Sequence, residues 1–597
     1  MIAAIENTLA TLAMLAMVAL PLLEIAVRRL FGVGVPASGP IVQHLTLWVG
    51  FLGAAIAARE GKLLALATGT FIPDGTPRLF ADITAAAVAV CTSIVLAWGG
   101  VQMVLAEREA QTTVGAGIPT WLAQTVLPIA FGIIAVRLVC RAGPRWGHKL
   151  AALGGAVLAA ILLRAPTLVE GHAAWPGLIV VAIAAVFGMP LFAILGGAAA
   201  WLFLHDGITP AAILIETYSL SVSPTLPAIP LFTLAGFLLA EGHASERLLR
   251  VFRALVGWIP GGTAVVCAVL CSFFTVFTGG SGVTILALGG VLFPALLRDG
   301  YRERFALGLL TASGSLGLLL PPALPLILYA VVAQIPIEDI FIGGILPGIL
   351  LTTMVAAWGM REGIVSGAVR QPFDRAEAAA AMWAAKWELA MPALVLVAMF
   401  SGFATTVEAA ALTAVYALVV QTVVHRDLSP GVALLRVVTE CVMVVGGVLI
   451  ILGVAVGLTN YLVNAQVPAI LVDWARAHIT SRFTFLLLLN VFLLAVGWLM
   501  EIFAAIVVVV PLIVPLGAAF GIHPVHLGII FIANLELGFL TPFVGLNIFL
   551  ASYRFKRPVL EVCRAALPMM AILGLGVLVI TYVPWLTTGL LTLLGRE

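Results

Sequence analysis

Apolar runs about as long as a bilayer is thick alternate with short polar loops along nearly the whole chain. Four come first, near residues 3–30, 40–58, 80–105 and 119–140, separated by loops carrying Arg59, Glu60 and Lys62 or Glu107, Arg108 and Glu109. A basic stretch over 141–149 follows, then an apolar run over 150–163 and a polar loop over 164–175. The pattern predicts a four-helix module over 1–149, a linker helix and loop over 150–175, and a larger helical module over 176–597.

The larger module holds an internal repeat. GLLTASGSLGLLLPP at 308–322 resembles GIIFIANLELGFLTP at 528–542, with the glycines and the last prolines both 220 residues apart. Upstream, Pro294 and Gly300 answer Pro515 and Gly521 at an offset of 221. The repeats run over about 226–360 and 440–580.

Composition decides the solvent. The 597 residues are 62% hydrophobic and 10% charged, whereas a soluble domain is about half apolar and about a quarter charged. So much apolar surface needs lipid, and at roughly 20 residues per crossing the chain is long enough for about 15 passes. A net charge of +2 argues against a nucleic-acid partner. With the N-terminus cytoplasmic, inside loops of the small module carry Arg59, Lys62, Arg78, Arg137, Arg141, Arg145 and Lys149, and outside loops carry Arg28, Arg29 and Arg108. That bias sets the orientation. The first apolar stretch lacks a basic start and a cleavage site, so it reads as a retained helix. Cys267 and Cys271 share a helix face without further ligands nearby, which suits packing better than a transition metal.

Each repeat places helix breakers at mid-membrane depth: Gly279, Gly280, Ser281 and Gly282 after one apolar run, then Ser313, Gly314, Ser315, Pro321 and Pro322 inside the next. Proline removes a backbone donor and glycine weakens a helix. In hydrocarbon every freed backbone group needs a partner, so breaks persist where protein, water or an ion supplies one. Two discontinuous helices at matching positions mark a transporter's binding site. Unwound carbonyls and hydroxyls suit a small cation, and half-helix N-termini suit an anion. A single kinked segment would read as packing; a matched pair favours a site.

Three glutamates lie in apolar surroundings. Glu408 reads as structural, whereas Glu501, opposite Ser281 at the repeat offset, and Glu536 fit a role at the ion or solute site and a structural role equally well. No phosphate loop, H-E-x-x-H or G-x-S-x-G occurs, which argues against an enzyme. His44, His425, His523 and His526 read as loop or interface groups.

These residues resemble the tripartite ATP-independent periplasmic (TRAP) transporters. The small module follows the small membrane subunit in RRLFG at 28–32, WVGFLGAA at 48–55, IPTW at 118–121 and LP at 127–128. The large module follows the large subunit in IPLF at 229–232, SERL at 245–248, LVG at 255–257, PGG at 260–262, Gly300 with Tyr301, Pro321 with Pro322, LPG at 346–348, EAA at 408–410, LTP at 540–542 and Val544 with Gly545. The resemblance implies an all-α integral membrane protein of the inner membrane. Its small module would be joined to an inverted-repeat, elevator-type transport module with two helical hairpins and two broken helices. It also implies sodium-coupled uptake of a small organic anion such as a carboxylate, delivered by a periplasmic substrate-binding protein, with Na+ as coupling ion and no other cofactor. A proton-coupled carrier, a carrier needing no binding protein and a non-transporting scaffold are the alternatives. Carried over, one sodium site would use Ser281, Gly282, Ser313, Gly317 and Pro322, and a second Gly497, Glu501, Gly538 and Thr541. Gly280, Ser315, Glu536 and Gly545 would face the substrate. The chain departs from the family at the first hairpin tip, where Gly279 replaces the first serine of a Ser-Gly-Ser run, and at Phe543, which replaces a proline.

Overall fold

The computed structural model describes residues 2–65, 72–73, 75–143, 145–369, 372–429, 431–500, 502–541 and 545–596. They are helical almost throughout, apart from a short antiparallel pair, Thr113–Gly115 with Ile118–Pro119. Among the described residues, 10 helices are long and apolar enough to cross a membrane, or up to 13 if three bent pairs each count as one span. This is fewer than the roughly 15 passes that length allows. The difference lies in shorter apolar helices such as Gly262–Thr278 and Pro524–Gly538, which form hairpin arms and half-helices.

The chain forms two compact units, which divide it differently from the modules read along the sequence: Met1–Pro230 with Val438–Ile470, and Leu231–Val437 with Leu471–Glu597. The first begins with the helices Ile2–Phe31, Ser38–Glu60, Thr76–Ala110 and Val126–Arg141, followed by the helix Trp146–Arg164. The helix Ser38–Glu60 buries Ala54, Ala55, Ile56 and Ala57 completely. Small side chains let backbones approach where lipid offers no hydrophobic drive between helices. A methyl on its Gly53 would meet the Val442 backbone, with the carbonyl carbon 2.9 Å away. Glu6, buried in this unit, pairs with Arg59 at 3.1 Å and also with Arg137, and Asn460 Nδ2 donates to Glu216 Oε1 at 2.6 Å.

The second unit contains both breaks. Its first hairpin is Gly262–Thr278 and Ser281–Arg298; its first broken helix is Glu303–Ser313, a 3₁₀ turn at Leu316–Leu319, and Leu324–Ala333. Gly279 takes a φ of 64° at the hairpin turn, the left-handed conformation glycine reaches without a side-chain penalty. The second hairpin is Arg482–Leu499 and Ile502–Ala519, and the second broken helix is Pro524–Gly538 and Leu546–Phe555. Between the repeats, Lys386–Phe400 and Thr406–Val419 are separate helices. The latter opens with a reciprocal cap: Glu408 Oε2 accepts from the Thr405 N–H at 2.8 Å and Thr405 Oγ1 from the Glu408 N–H at 3.3 Å.

Candidate functional site

At the first break the helix ends on Ser313, and the chain unwinds through Gly314 and Ser315 before the cis Pro321–Pro322 bond. The hairpin tip packs on this unwound stretch. A methyl on Gly314 would lie 3.2 Å from the Ser281 carbonyl oxygen, and one on Gly317 would lie 2.8 Å from Thr275 Cβ. Thr275 Oγ1 lies 2.8 Å from both the Gly314 carbonyl and Thr284 Oγ1, so it links both hairpin arms to the break. Ser315 Oγ donates to the Ala312 carbonyl at 3.2 Å. Ser313 Oγ is fully buried and has no hydrogen-bond partner.

At the second break, Thr541 closes the helix end. Its Oγ1 donates to the Gly538 carbonyl at 2.6 Å, its N–H to the same oxygen at 3.1 Å, and its own carbonyl accepts from the Gly545 N–H at 3.1 Å. Gly538 lies against Gly497 of the hairpin's first arm. Glu536, two residues before Gly538, is buried with neither carboxylate oxygen partnered. In a low-dielectric interior such a carboxylate is strongly disfavoured unless a cation or proton balances it.

The two breaks are interlocked. Asn547, just after the second, donates from Nδ2 to the Thr311 carbonyl just before the first, at 3.2 Å. Reciprocally, Tyr329, after the first break, donates to the Pro524 carbonyl at the start of the second broken helix, also at 3.2 Å. The post-break half of each repeat thus packs on the pre-break half of the other, as two halves related by an approximate two-fold would. Apolar packing supports the crossing: Ile285 of the first hairpin forms a buried cluster with Ile548, Ala551, Val562 and Cys563, and the Tyr329 and Phe531 rings lie 6.1 Å apart.

Comparison with known proteins places this arrangement. Residues 178–586 match the family described as tripartite ATP-independent periplasmic transporter, DctM component, and residues 17–147 match its DctQ component. The isethionate TRAP transporter permease protein DctMQ of Oleidesulfovibrio alaskensis is 31% identical over 555 residues, 91% of this chain and 87% of that one. The chain belongs to the TRAP transporter family. The C4-dicarboxylate TRAP transporter large permease protein DctM of Vibrio cholerae is 33% identical over 62% of this chain and 86% of its own. The ectoine TRAP transporter large permease protein TeaC of Halomonas elongata is 29% identical over 64% and 90%. As a TRAP permease with both components on one chain, the protein is a multi-pass inner-membrane component of solute uptake that works with a periplasmic substrate-binding protein, and it is not an enzyme.

Among the residues the sequence nominated in this TRAP permease, Gly280, Ser281, Gly282, Ser313, Ser315, Gly317 and Pro322 belong to the first hairpin tip and first break. Gly497, Glu536, Gly538, Thr541 and Gly545 belong to the second hairpin and second break. Gly497 sits within the hairpin's first arm, two residues short of its end. Glu501 lies outside the described residues. Of the histidines read as loop or interface groups, His526 is an interface group: it is fully buried, with Nδ1 2.8 Å from Thr587 Oγ1 and Nε2 3.2 Å from the Thr581 carbonyl. Sequence reading also missed Asn547 and the pair Asn490–Asn534, where Asn534 Nδ2 donates to Asn490 Oδ1 at 2.6 Å. Their only signal was an amide side chain inside an apolar run.

Proposed function

We propose that this TRAP permease is a sodium-coupled symporter for a small organic anion, with residues 1–149 as its small module, 150–175 as linker and 176–597 as transport module. One observation carries the reading: two interlocked broken helices in one compact unit leave buried oxygens unpartnered at both breaks, Ser313 Oγ at the first and the Glu536 carboxylate at the second. Unpaired hard oxygens beside two broken helices fit a small monovalent cation. Ser281, Gly282, Ser313, Gly317 and Pro322 would hold one ion, and Gly497, Glu501, Gly538 and Thr541 a second. The anion would lie among Gly280, Ser315, Gly545 and Glu536. There the N–H ends of the half-helices Leu324–Ala333 and Leu546–Phe555 offer positive dipole ends. Bound cations would balance Glu536 and let an anion approach it.

The relatives' names support an anionic cargo, since isethionate and C4-dicarboxylates are both organic anions. Counting each bent pair as one span, five crossings lie between the two hairpins: the broken helix from Glu303 to Ala333, Ile337–Val365, the pair Arg375–Ala384 and Lys386–Phe400, Thr406–Val424, and Val432–Asn464. An odd number inverts the second repeat against the first, which supports alternating access by an elevator-type movement of the unit that carries both breaks.

The test is uptake of radiolabelled isethionate or C4-dicarboxylate by the full chain in liposomes with its periplasmic binding protein. Uptake should collapse when the sodium gradient is removed. Transport that persists without sodium and follows an imposed proton gradient would replace sodium by protons as the coupling ion.

A further inference from the structure

We propose that the side-chain oxygen of Asn547 is a cation ligand at the first break, so that the second repeat contributes directly to an ion site otherwise built from the first. This rests on the sodium-coupled reading above and extends its ligand set.

Asn547 is fully buried in the first turn of Leu546–Phe555. A neighbouring carbonyl can accept only from the nitrogen of an amide, so the bond from Nδ2 to the Thr311 carbonyl at 3.2 Å fixes which way the side chain points. Oδ1 then remains without a hydrogen-bond partner and is closed off from the protein surface. Two residues beyond Thr311, on the same last turn of helix, Ser313 Oγ is equally buried and equally unpartnered. Buried polar atoms are almost always satisfied, and the bond to Thr311 brings Asn547 from the other broken helix against the last turn that ends on Ser313, so each repeat contributes one unpartnered buried oxygen at the first break. An amide oxygen and a hydroxyl are both neutral, hard donors of the kind a sodium ion accepts. The arrangement also has a consequence for coupling. A ligand set drawn from both repeats is complete only while the two broken helices keep their crossing, so the ion reports the relative position of the halves that form the solute site.

The test uses the full chain in detergent, without substrate, and reads the melting midpoint against sodium chloride at constant ionic strength with choline chloride. A ligand that binds the folded state alone raises the midpoint in proportion to the logarithm of its concentration above the dissociation constant. Wild type should respond to sodium. Asn547→Leu should need at least about ten-fold more sodium for the same rise. Asn547→Asp, which keeps an oxygen but loses the donor to Thr311, should stay within about three-fold of wild type. Ser313→Ala is the companion variant that reports on the site itself. If Asn547→Asp is as impaired as Asn547→Leu, the link to Thr311 and not the oxygen matters, and the proposal is overturned. A wild-type sodium response shared by Asn547→Leu but weakened in Ser313→Ala overturns the Asn547 role alone and leaves sodium coupling standing. No sodium response in wild type removes both.

Discussion

Gly497 and Gly538 meet backbone to backbone: a methyl on Gly538 would come within 2.7 Å of the Gly497 Cα, closer than any real carbon contact. The second hairpin is thereby seated on the helix end that Thr541 caps: Gly538 has no room for a side chain, and Gly497 is tight, a methyl there meeting Leu535 Cδ2 at 3.0 Å.

Gly538→Ala should therefore destabilise the protein by about 1–3 kcal/mol, the usual cost of overpacking. Gly574→Ala is the control: its nearest neighbour is the Leu537 side chain at 3.6 Å, an ordinary contact. That substitution should be neutral or stabilising by up to about 1 kcal/mol, because alanine favours helix. Thermal melting of both variants in detergent checks the pair, and equal midpoints would contradict the geometry.

Arg247 lies 2.6 Å from Glu388 and 2.9 Å from Asp427, and the Glu388 side chain is 0% exposed. Arg247→Leu leaves that carboxylate buried without its main partner and should cost about 3–5 kcal/mol. Adding Glu388→Gln should recover part of the loss. A double variant as unstable as the sum of the singles would show that the two residues are not coupled.

Asp427 lies in the loop after Thr406–Val424, outside the spanning helices. Burial disfavours its charge. Bonds from Arg247 and from the backbone N–H and ring of His243 outweigh burial and hold the carboxyl below its ordinary value of 3.8. A depressed carboxyl contributes stability that is fully present above its unfolded value and lost as pH falls through the folded one. Melting midpoints of wild type should therefore fall more steeply than those of Asp427→Asn as pH drops below about 4. Parallel curves would assign acid sensitivity to other groups.

Asn490 and Asn534 form an amide pair inside the second repeat, and Thr581 Oγ1 lies 3.2 Å from the shared Asn490 Oδ1. Asn490→Leu or Asn534→Leu alone should each cost about 1–3 kcal/mol, because each strands a buried polar partner. The double variant should cost clearly less than the sum. A thermodynamic cycle that closes additively would mean that the amides act independently.

Much of this architecture was legible in the chain. Apolar runs bounded by charged loops predicted Ile2–Phe31, Ser38–Glu60 and Thr76–Ala110 to within a few residues, because a lipid solvent tolerates few other patterns. Matching glycines and prolines located both breaks for the same reason: a helix interrupter in hydrocarbon needs a purpose. The polar pairs were not legible. Thr311 and Asn547 are 236 residues apart, and Asn490 and Asn534 are 44 apart. Each alone looks like an isolated polar residue in an apolar stretch. For the same reason the sequence left His526 open between loop and interface, since its partners Thr581 and Thr587 lie on other helices.

By itself the sequence determined that this protein lives in a membrane, that its second module is duplicated, and where each copy must abandon regular helix. Those properties follow from local chemistry, since hydrophobicity, a missing N–H and a missing Cβ act within a turn or two of their own residue. The tertiary structure alone decided that the two broken helices cross-link, which glycines touch, and which buried oxygens are left without a hydrogen. Those depend on distances between residues far apart in the chain, and packing alone sets such distances.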